Sequence, residues 1–297
     1  MQPQKGVLHR IPSDGSNTPI ISAFQLLPSN STGLSSTRAI LFIGGMGDGL
    51  LTVPYLSKAA STIDGSGWCV FQGILSSSYI GWGTSSLEKD KIEILQILEY
   101  LKSNGFDHVV LMGHSSGCQA CLKVILDVPK GKRAIVNGLI LQAPVSDREY
   151  LTENVKNLKM LNEEAREIFQ RQGSDAVLPK KFSKKLFKTP ISAYRWLSLT
   201  EMNGDDDMFS TDFDTAKISE IFGKIDVRLC VAYSEYDNCP KGYDKSLLLE
   251  RWRSATEEGI WSNKSKVIKG ASHNLERCGD GGVDEFLEIV LDFLKEC

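Results

Sequence analysis

Short apolar runs recur along the chain, and most of them show no alternation with polar residues. They cover residues 39–43, 68–75, 108–112, 135–141 and 227–233, and residues 266–268 (KVI) are a further strand-like segment. Parallel strands with helices on both faces have this pattern, because neither side of the sheet is open to water. Two further strands are predicted at residues 7–11 and 19–27, ahead of the first of these runs.

Helical patterns lie between the apolar runs. In the clearest one, Leu87, Ile94, Leu98 and Leu101 recur at helical spacing, and charged residues such as Glu88 occupy the opposite side. Further helices are predicted at residues 116–128, 245–256 and 283–295. Strands and helices thus alternate, which predicts an α/β protein with a mostly parallel, doubly wound sheet.

Residues 148–222 interrupt this alternation. The segment is polar and helical in pattern, and it contains no good strand although it stands between two predicted strands. At about 75 residues, it is far longer than an ordinary connection between a helix and a strand. We therefore expect residues 1–147 and 223–297 to form the core, with residues 148–222 as a helical cap above the carboxyl ends of the strands.

The motif Gly113-His114-Ser115-Ser116-Gly117 follows one apolar run and precedes a helical pattern. A Gly-x-Ser-x-Gly sequence in this context predicts a nucleophile elbow, a sharp turn that presents the serine hydroxyl at the edge of the sheet. Glycine is needed on both sides because larger side chains would clash in the turn. The start of the following helix stabilises developing negative charge. Ser115 is therefore the predicted nucleophile of a serine hydrolase.

A serine hydroxyl needs a neighbouring base to become a good nucleophile, and the chain has four histidines. His9 and His108 belong to predicted strands, and His114 lies inside the elbow, where it cannot reach back to Ser115. His273 follows the last predicted strand and precedes the last helix, which is where α/β-hydrolases place the base. His273 is therefore the predicted base.

The acid that orients this base should follow the first strand after the cap. Residues 234–238 read SEYDN directly after the run at 227–233. We favour Asp237, because loops at strand ends present the acid a few residues after the strand, and Glu235 is the alternative. The acid holds the histidine tautomer and stabilises the imidazolium.

The tetrahedral intermediate of acyl transfer needs two N–H donors. One is expected from Ser116 and the other from the glycine-rich loop GGMGDG at residues 44–49, with Met46 as the first choice and Gly45 as the second. A nucleotide-binding loop is the competing interpretation. It is disfavoured because the run neither completes G-x-G-x-x-G nor ends in Gly-Lys-Ser/Thr.

Three more residues are candidates for the substrate pocket. Tyr79 and Trp82 lie between a strand and a helix, and they either line the pocket or pack under the cap. Asp206 belongs to Asp205-Asp206-Asp207, which would suit a cationic substrate or a metal, although a solvated loop or a helix N-cap is the simpler interpretation. We predict neither a metal nor a cofactor.

Composition narrows the class of protein. The 297 residues are 41% hydrophobic and 24% charged, as in ordinary globular proteins, and the net charge of −3 argues against nucleic-acid binding. Seven cysteines, an odd number, favour free thiols in a reducing compartment. No apolar stretch is long enough to cross a bilayer, and residues 1–15 lack the core of a secretory signal, so we expect a cytoplasmic protein without membrane contact. The oligomeric state is not determined by these features.

From about Lys5 to its end, the chain resembles a fungal and plant family of α/β-hydrolases. The resemblance rests on residues 44–49 (GGMGDG), 77–87 (SSYIGWGTSSL), 113–117 (GHSSG), 204–210 (GDDDMFS) and 233–237 (YSEYD). The family includes intracellular fungal esterases that hydrolyse the ester bonds of fusarinine-type siderophores to release iron. The resemblance implies the α/β-hydrolase fold, a triad of Ser115, Asp237 and His273, and a small-molecule ester, in particular a ferric siderophore, as substrate.

The leading hypothesis is thus a serine esterase that works through an acyl-enzyme. A thioesterase or a lipid hydrolase is an alternative, because this fold hosts many chemistries. A receptor that kept the fold without catalysis is an alternative of another class, and the intact serine, acid and histidine argue against it.

Overall fold

The computed structural model describes residues 3–12, 21–28, 36–237, 242–275 and 281–297. Within these residues, eight strands form one sheet in the order β1-β2-β4-β3-β5-β6-β7-β8. The strands are β1 (Lys5–Ile11), β2 (Ile21–Leu27), β3 (Arg38–Ile43), β4 (Trp68–Ile74), β5 (His108–His114), β6 (Val136–Gln142), β7 (Arg228–Ser234) and β8 (Lys266–Ile268). The first two residues of the strand predicted at 19–27 lie outside the described residues.

Most of the sheet is parallel. Strands β3 to β8 pair in parallel, whereas β1 and β2 form an antiparallel edge against β4. The parallel strands are buried on both faces, which explains their unbroken apolar sequences. The prediction of an α/β protein with a mostly parallel sheet is confirmed.

Helices cover both faces of the sheet and give the core two apolar clusters. On one face pack α2 (Leu87–Ser103), α3 (Gly117–Asp127) and α9 (Lys245–Ala255), and on the other α1 (Leu56–Ile63) and α10 (Gly281–Leu294). Helix α2 begins where the Ser86 hydroxyl accepts the Lys89 N–H, a standard N-cap. Because strands β3 to β8 are parallel, their carboxyl ends all lie at one edge of the sheet, and the loops that follow them meet there.

The segment between β6 and β7 contains five helices among the described residues. They are α4 (Asp147–Asn154), α5 (Leu158–Gln172), α6 (Lys180–Ser183), α7 (Ala193–Thr200) and α8 (Thr215–Phe222). Buried side chains from Leu151 to Leu199 form an apolar cluster of their own, which Trp82 joins. From Met208 onwards, the buried side chains pack with the core of the sheet instead. The division into a core and a cap at residues 148 and 222 stays a prediction, and we keep the name cap for this segment.

None of the helices in the described part of the chain is both long and apolar enough to cross a membrane. The five cysteines that fall within the described ranges are all free thiols.

Candidate active site

The turn between β5 and α3 carries Ser115. Its φ angle is +53°, a left-handed conformation that costs energy for a residue with a side chain. The backbone of the turn is tied to the neighbouring strand β6, since the Ser115 N–H donates to the Gln142 carbonyl at 3.1 Å. Space is also limited, because a Cβ atom on Gly117 would lie 2.2 Å from the Ile43 carbonyl oxygen. These features form the sharp elbow that the glycine-flanked motif predicts.

The structure brings His273 and Asp237 to this serine. His273 Nε2 lies 2.8 Å from Ser115 Oγ, and His273 Nδ1 lies 2.8 Å from Asp237 Oδ2. Asp237 comes from the loop after β7 and is only 8% exposed, while His273 comes from the loop after β8. Three loops at the carboxyl edge of the sheet thus form a continuous hydrogen-bonded chain.

Glu235, the alternative acid, lies elsewhere. It is exposed, and its carboxylate Oε2 accepts the Gly270 N–H at 2.6 Å. Its own N–H donates to the Ile268 carbonyl at 3.1 Å. Glu235 therefore ties the loops after β7 and β8 together, which holds Asp237 and His273 in register without touching the imidazole.

The two histidines at the site have opposite electrostatic environments. Burial lowers the pKa of His273, but the hydrogen bond and the charge of Asp237 outweigh this, so its pKa lies above the ordinary value. Asp147 and Asp48 contribute in the same direction. For His114, burial and then the charge of His273 lower the pKa to about 3. His114 is therefore neutral near pH 7 and adds no positive charge beside the His273 imidazolium.

The glycine-rich loop reaches Ser115 from the end of β3. A Cβ atom on Gly45 would lie 2.7 Å from Ser115 Cβ, so only glycine fits there. The Gly45 N–H donates to Asp48 Oδ2 at 2.7 Å, which takes this group away from the role of oxyanion donor predicted as the second choice. The N–H groups of Met46 and Ser116 have no hydrogen-bond partner among the described residues. Of the three N–H groups predicted as oxyanion donors, these two are therefore unoccupied in the part of the chain that the structure describes.

A cavity of about 660 Å³ opens above Ser115. Loops of the sheet and helices of the cap share its lining, which comprises Met46, Ser115, Val145, Asp147, Tyr150, Leu151, Leu186, Phe187, Tyr236, Asp237, Ser272, His273 and Asn274. Its size is typical of a site for a small molecule.

None of the three predicted pocket residues belongs to this lining. Tyr79 supports the glycine-rich loop instead, because its hydroxyl accepts the Leu50 N–H at 3.0 Å and its ring lies against Gly49. Trp82 is 3% exposed and packs under the cap, which was the other interpretation of this residue. The prediction that they line the pocket is wrong, because their rings are used to join the loops of the core to each other and to the cap.

Asp206 is buried in the cap, 1% exposed, and its two oxygens accept from Arg195 Nη1 at 2.7 and 2.6 Å. Its neighbours are also engaged: Asp207 accepts from Arg148, and Asp205 accepts from Tyr194. Asp206 and Asp207 are therefore buried structural partners of arginines, Asp205 is exposed, and none of the three lines the cavity. Within the described ranges, no group of three or more His, Cys, Asp or Glu side chains is arranged to hold a metal ion.

Sequence reasoning missed the residue that supports both histidines. Gln142 Oε1 accepts from His114 Nδ1 at 2.5 Å and from the Tyr55 hydroxyl at 3.1 Å, and its Nε2 donates to the His273 carbonyl at 3.2 Å. A signal was present, since Gln142 is a polar residue directly after the apolar run of β6. Asp48 and Asp147, which face His273 electrostatically, were missed as well.

Comparison with known proteins gives relatives along nearly the whole chain. Fusarinine C esterase sidJ of Aspergillus fumigatus is 34% identical over 317 residues, covering 87% of this chain and 89% of the relative. Siderophore hydrolase EstB from Aspergillus fumigatus has a TM-score of 0.82 at 31% identity, covering 99% of this chain and 97% of that one. An α/β hydrolase fold protein of unknown function matches with a TM-score of 0.72 at 16% identity, which bears on the fold alone.

The fold is thus that of the α/β hydrolases, and the esterases among the relatives support a hydrolase with esterase activity on a small-molecule ester. The family model described as protein of unknown function (DUF1749) matches residues 1–295. The chain belongs to this DUF1749 family, and the predicted resemblance to a family that includes siderophore esterases is confirmed.

Proposed function

We propose that this protein is a serine esterase that hydrolyses its substrate through an acyl-enzyme on Ser115, and that the substrate is a siderophore ester of the fusarinine C type. The observation that carries the catalytic part is the chain of two 2.8 Å hydrogen bonds from Ser115 through His273 to Asp237. This chain lies in the wall of a cavity large enough for a small molecule.

In the first half of the reaction, His273 Nε2 takes the hydroxyl proton as Ser115 Oγ attacks the ester carbonyl carbon. Asp237 accepts a hydrogen bond from the Nδ1–H group of His273, so the unprotonated Nε2 faces the serine. The raised pKa of His273 stabilises the imidazolium that forms. His273 then gives the proton to the alcohol as the ester C–O bond breaks, and the acyl group stays on Ser115.

The negative oxygen of the tetrahedral intermediate is held by the N–H groups of Ser116 and Met46. Ser116 precedes α3, so the partial positive charge of that helix terminus adds to the attraction. Water attacks the acyl-enzyme in the second half, with His273 as its base. Breaking of the bond between Ser115 Oγ and the acyl carbon releases the acid and restores the serine.

The choice of substrate rests on the relatives. One relative at 34% identity is named a fusarinine C esterase, and one structure at 31% identity is named a siderophore hydrolase. In this proposal the iron is cargo of the substrate and takes no part in catalysis. Hydrolysis of the ester bonds would divide the chelator and weaken its hold on the metal.

A fluorophosphonate probe tests the nucleophile. We expect labelling of the wild type and none of Ser115→Ala, with equal folding judged by circular dichroism. Labelling that persists in Ser115→Ala would refute the assignment of Ser115, and an unlabelled wild type would favour the receptor hypothesis.

The substrate needs a separate test. Purified protein is incubated with fusarinine C, and the hydrolysis products are followed by mass spectrometry, with Ser115→Ala as the control. We expect ester hydrolysis in the wild type only. If fusarinine C stays intact while simple esters or thioesters are cleaved, the serine mechanism stands and the siderophore is the wrong substrate.

A further inference from the structure

One carboxyl group in the cavity is not used by the mechanism above. Asp147 is the first residue of α4 and lines the same cavity as Ser115 and His273. Its Oδ2 accepts from Gln119 Nε2 at 2.9 Å. Its Oδ1 has no hydrogen-bond partner among the described residues. One oxygen is thus anchored to α3, and the other is available to a ligand.

Asp147 also has no cation of its own within the described structure. Among the described residues, neither Lys nor Arg lines the cavity, and the other carboxylate there, Asp237, is hydrogen-bonded to His273. Arg195 is close enough to act on Asp147 electrostatically, but its Nη1 bonds both oxygens of Asp206. Asp147 is thus the carboxylate of the described lining that has no hydrogen-bonded cationic partner, which favours a cationic group on a ligand beside it and disfavours an anionic one.

Aromatic rings complete the surroundings of this carboxylate. Tyr150, Phe187 and Tyr236 line the same cavity and are 39%, 76% and 67% exposed. Exposed aromatic rings that share a cavity with a carboxylate suit an alkylammonium group, which they bind through cation–π attraction and charge. The ring faces are free to meet a ligand, unlike the buried ring of Trp82.

We propose that Asp147 is a specificity-determining residue and that, with these aromatic rings, it selects esters carrying a cationic nitrogen over neutral esters of the same shape. The inference rests on the proposed function, because it assigns a substrate class to the site around Ser115. A residue that serves the fold alone, through its bond to Gln119, would affect both kinds of ester alike.

The protonation of Asp147 gives this proposal a second readout. Burial raises its pKa to about 7, the charges of Asp206 and Asp207 act in the same direction, and those of Arg195 and His273 oppose them. The carboxylate form therefore becomes dominant as the pH rises through 7. The preference for a cationic ester should therefore increase as the pH rises through 7. The ratio of kcat/KM for the cationic ester to kcat/KM for the neutral ester reports this preference, because the titration of His273 affects both values alike.

The test uses 4-nitrophenyl alkanoates that end in a trimethylammonio group, with three to six methylene groups, each paired with the ester that ends in tert-butyl. For wild type, Asp147→Asn and Glu153→Gln, we measure kcat/KM for both esters from pH 6 to pH 8. Glu153 is an exposed acid at the far end of α4, so its substitution removes the same charge from the same helix outside this cavity.

We expect the wild type and Glu153→Gln to prefer the cationic ester by about tenfold at pH 8 for the best chain length, the size of a cation–π and charge interaction. Asp147→Asn should bring this ratio close to one and remove its pH dependence. If the wild type prefers the neutral ester at every chain length, the inference is overturned, and this result does not depend on the folding of the variant. If Asp147→Asn lowers kcat/KM by the same factor for both esters, the inference is overturned as well. In either case hydrolysis of the neutral ester leaves the serine esterase standing, whereas a wild type that cleaves neither ester overturns both.

Discussion

The two walls of the cavity are built in different ways. The floor, formed by the loops after β3, β5, β7 and β8, is held by backbone hydrogen bonds, glycines and one strained turn. The roof, formed by cap residues between Tyr150 and Phe187, rests on the cap's own apolar cluster and on buried arginine–aspartate pairs. The difference indicates that positions on the floor are tuned for the geometry of the reaction, whereas the roof contributes stability and the shape of the cavity.

The sharpest contrast within the floor is between two carboxylates two positions apart. Asp237→Asn should lower kcat by about 10⁴, because an amide does not hold the His273 tautomer and does not stabilise its imidazolium. Glu235→Gln is the matched control, since the Gln carbonyl still accepts the Gly270 N–H, and it should keep most of the activity. Ester hydrolysis by the two purified variants is compared. The greater loss in Glu235→Gln would mean that the triad acid is misassigned.

For the roof, the largest expected effect is on stability. Asp206→Asn leaves the Arg195 guanidinium, which is 3% exposed, without the carboxylate that it is hydrogen-bonded to, and it should lower the free energy of unfolding by about 3–5 kcal/mol. Asp212→Asn, at a carboxylate that is 45% exposed beside Arg148, should cost less than about 1 kcal/mol. Urea denaturation measures both.

Asp206→Asn also tests whether the roof contributes stability without setting the geometry of the floor. Ser115 and its partners lie on sheet loops, so the folded fraction of Asp206→Asn should still react with a fluorophosphonate probe at the rate of the wild type. A large drop in the reactivity of the folded protein would mean that the buried pair in the roof also sets the geometry of the floor.

A smaller effect is expected where the glycine-rich loop meets the nucleophile. In Gly45→Ala, the new methyl group would lie 2.7 Å from Ser115 Cβ, so one of the two segments must move. We expect kcat to fall by roughly 100-fold, the effect of a displacement of about 1 Å. Gly131→Ala, in an exposed turn with open space around the new methyl group, should keep full activity. Equal activity of the two variants would show that the floor tolerates movement.

The sequence predicted the floor well because each part of it has a local signature. Apolar runs mark the strands, glycines mark the elbow around Ser115, and the position of His273 after the last strand leaves one eligible histidine. The choice of Asp237 over Glu235 was the least local step. In the structure, Asp237 and not Glu235 is hydrogen-bonded to the imidazole of His273, which is 36 positions away in sequence.

The roof could not be predicted in this way. Whether Asp206 is a ligand group or a buried partner of Arg195 depends on a contact between a loop and a helix, and neither has a motif. The same holds for Tyr79 and Trp82, whose ring positions follow from the packing of loops. Helix α1 has a weak hydrophobic pattern in the sequence. Its buried residues are Leu56, Ala59, Ala60 and Ile63, and the two alanines could equally stand on the exposed side of a helix.

The smallest expected effect concerns a residue beneath the floor. His114 has a folded-state pKa of about 3, against 6.5 in an unfolded chain. Between these values the unfolded state binds more protons, so this group makes the protein less stable as the pH falls from 6.5 towards 3. At pH 5 the loss amounts to about 2 kcal/mol relative to neutral pH.

His114→Gln removes that titration and keeps an amide N–H that can donate to Gln142. The difference between the urea midpoints at pH 7.5 and pH 5 should therefore be smaller in His114→Gln than in the wild type. His108→Gln, at the other, partly exposed end of β5, should keep the difference seen in the wild type. Because each variant removes one histidine and keeps all the other titratable groups, the comparison of the two variants isolates the buried His114. An unchanged difference in His114→Gln would mean that His114 is protonated in the folded protein, and that the floor carries a second positive charge beside His273.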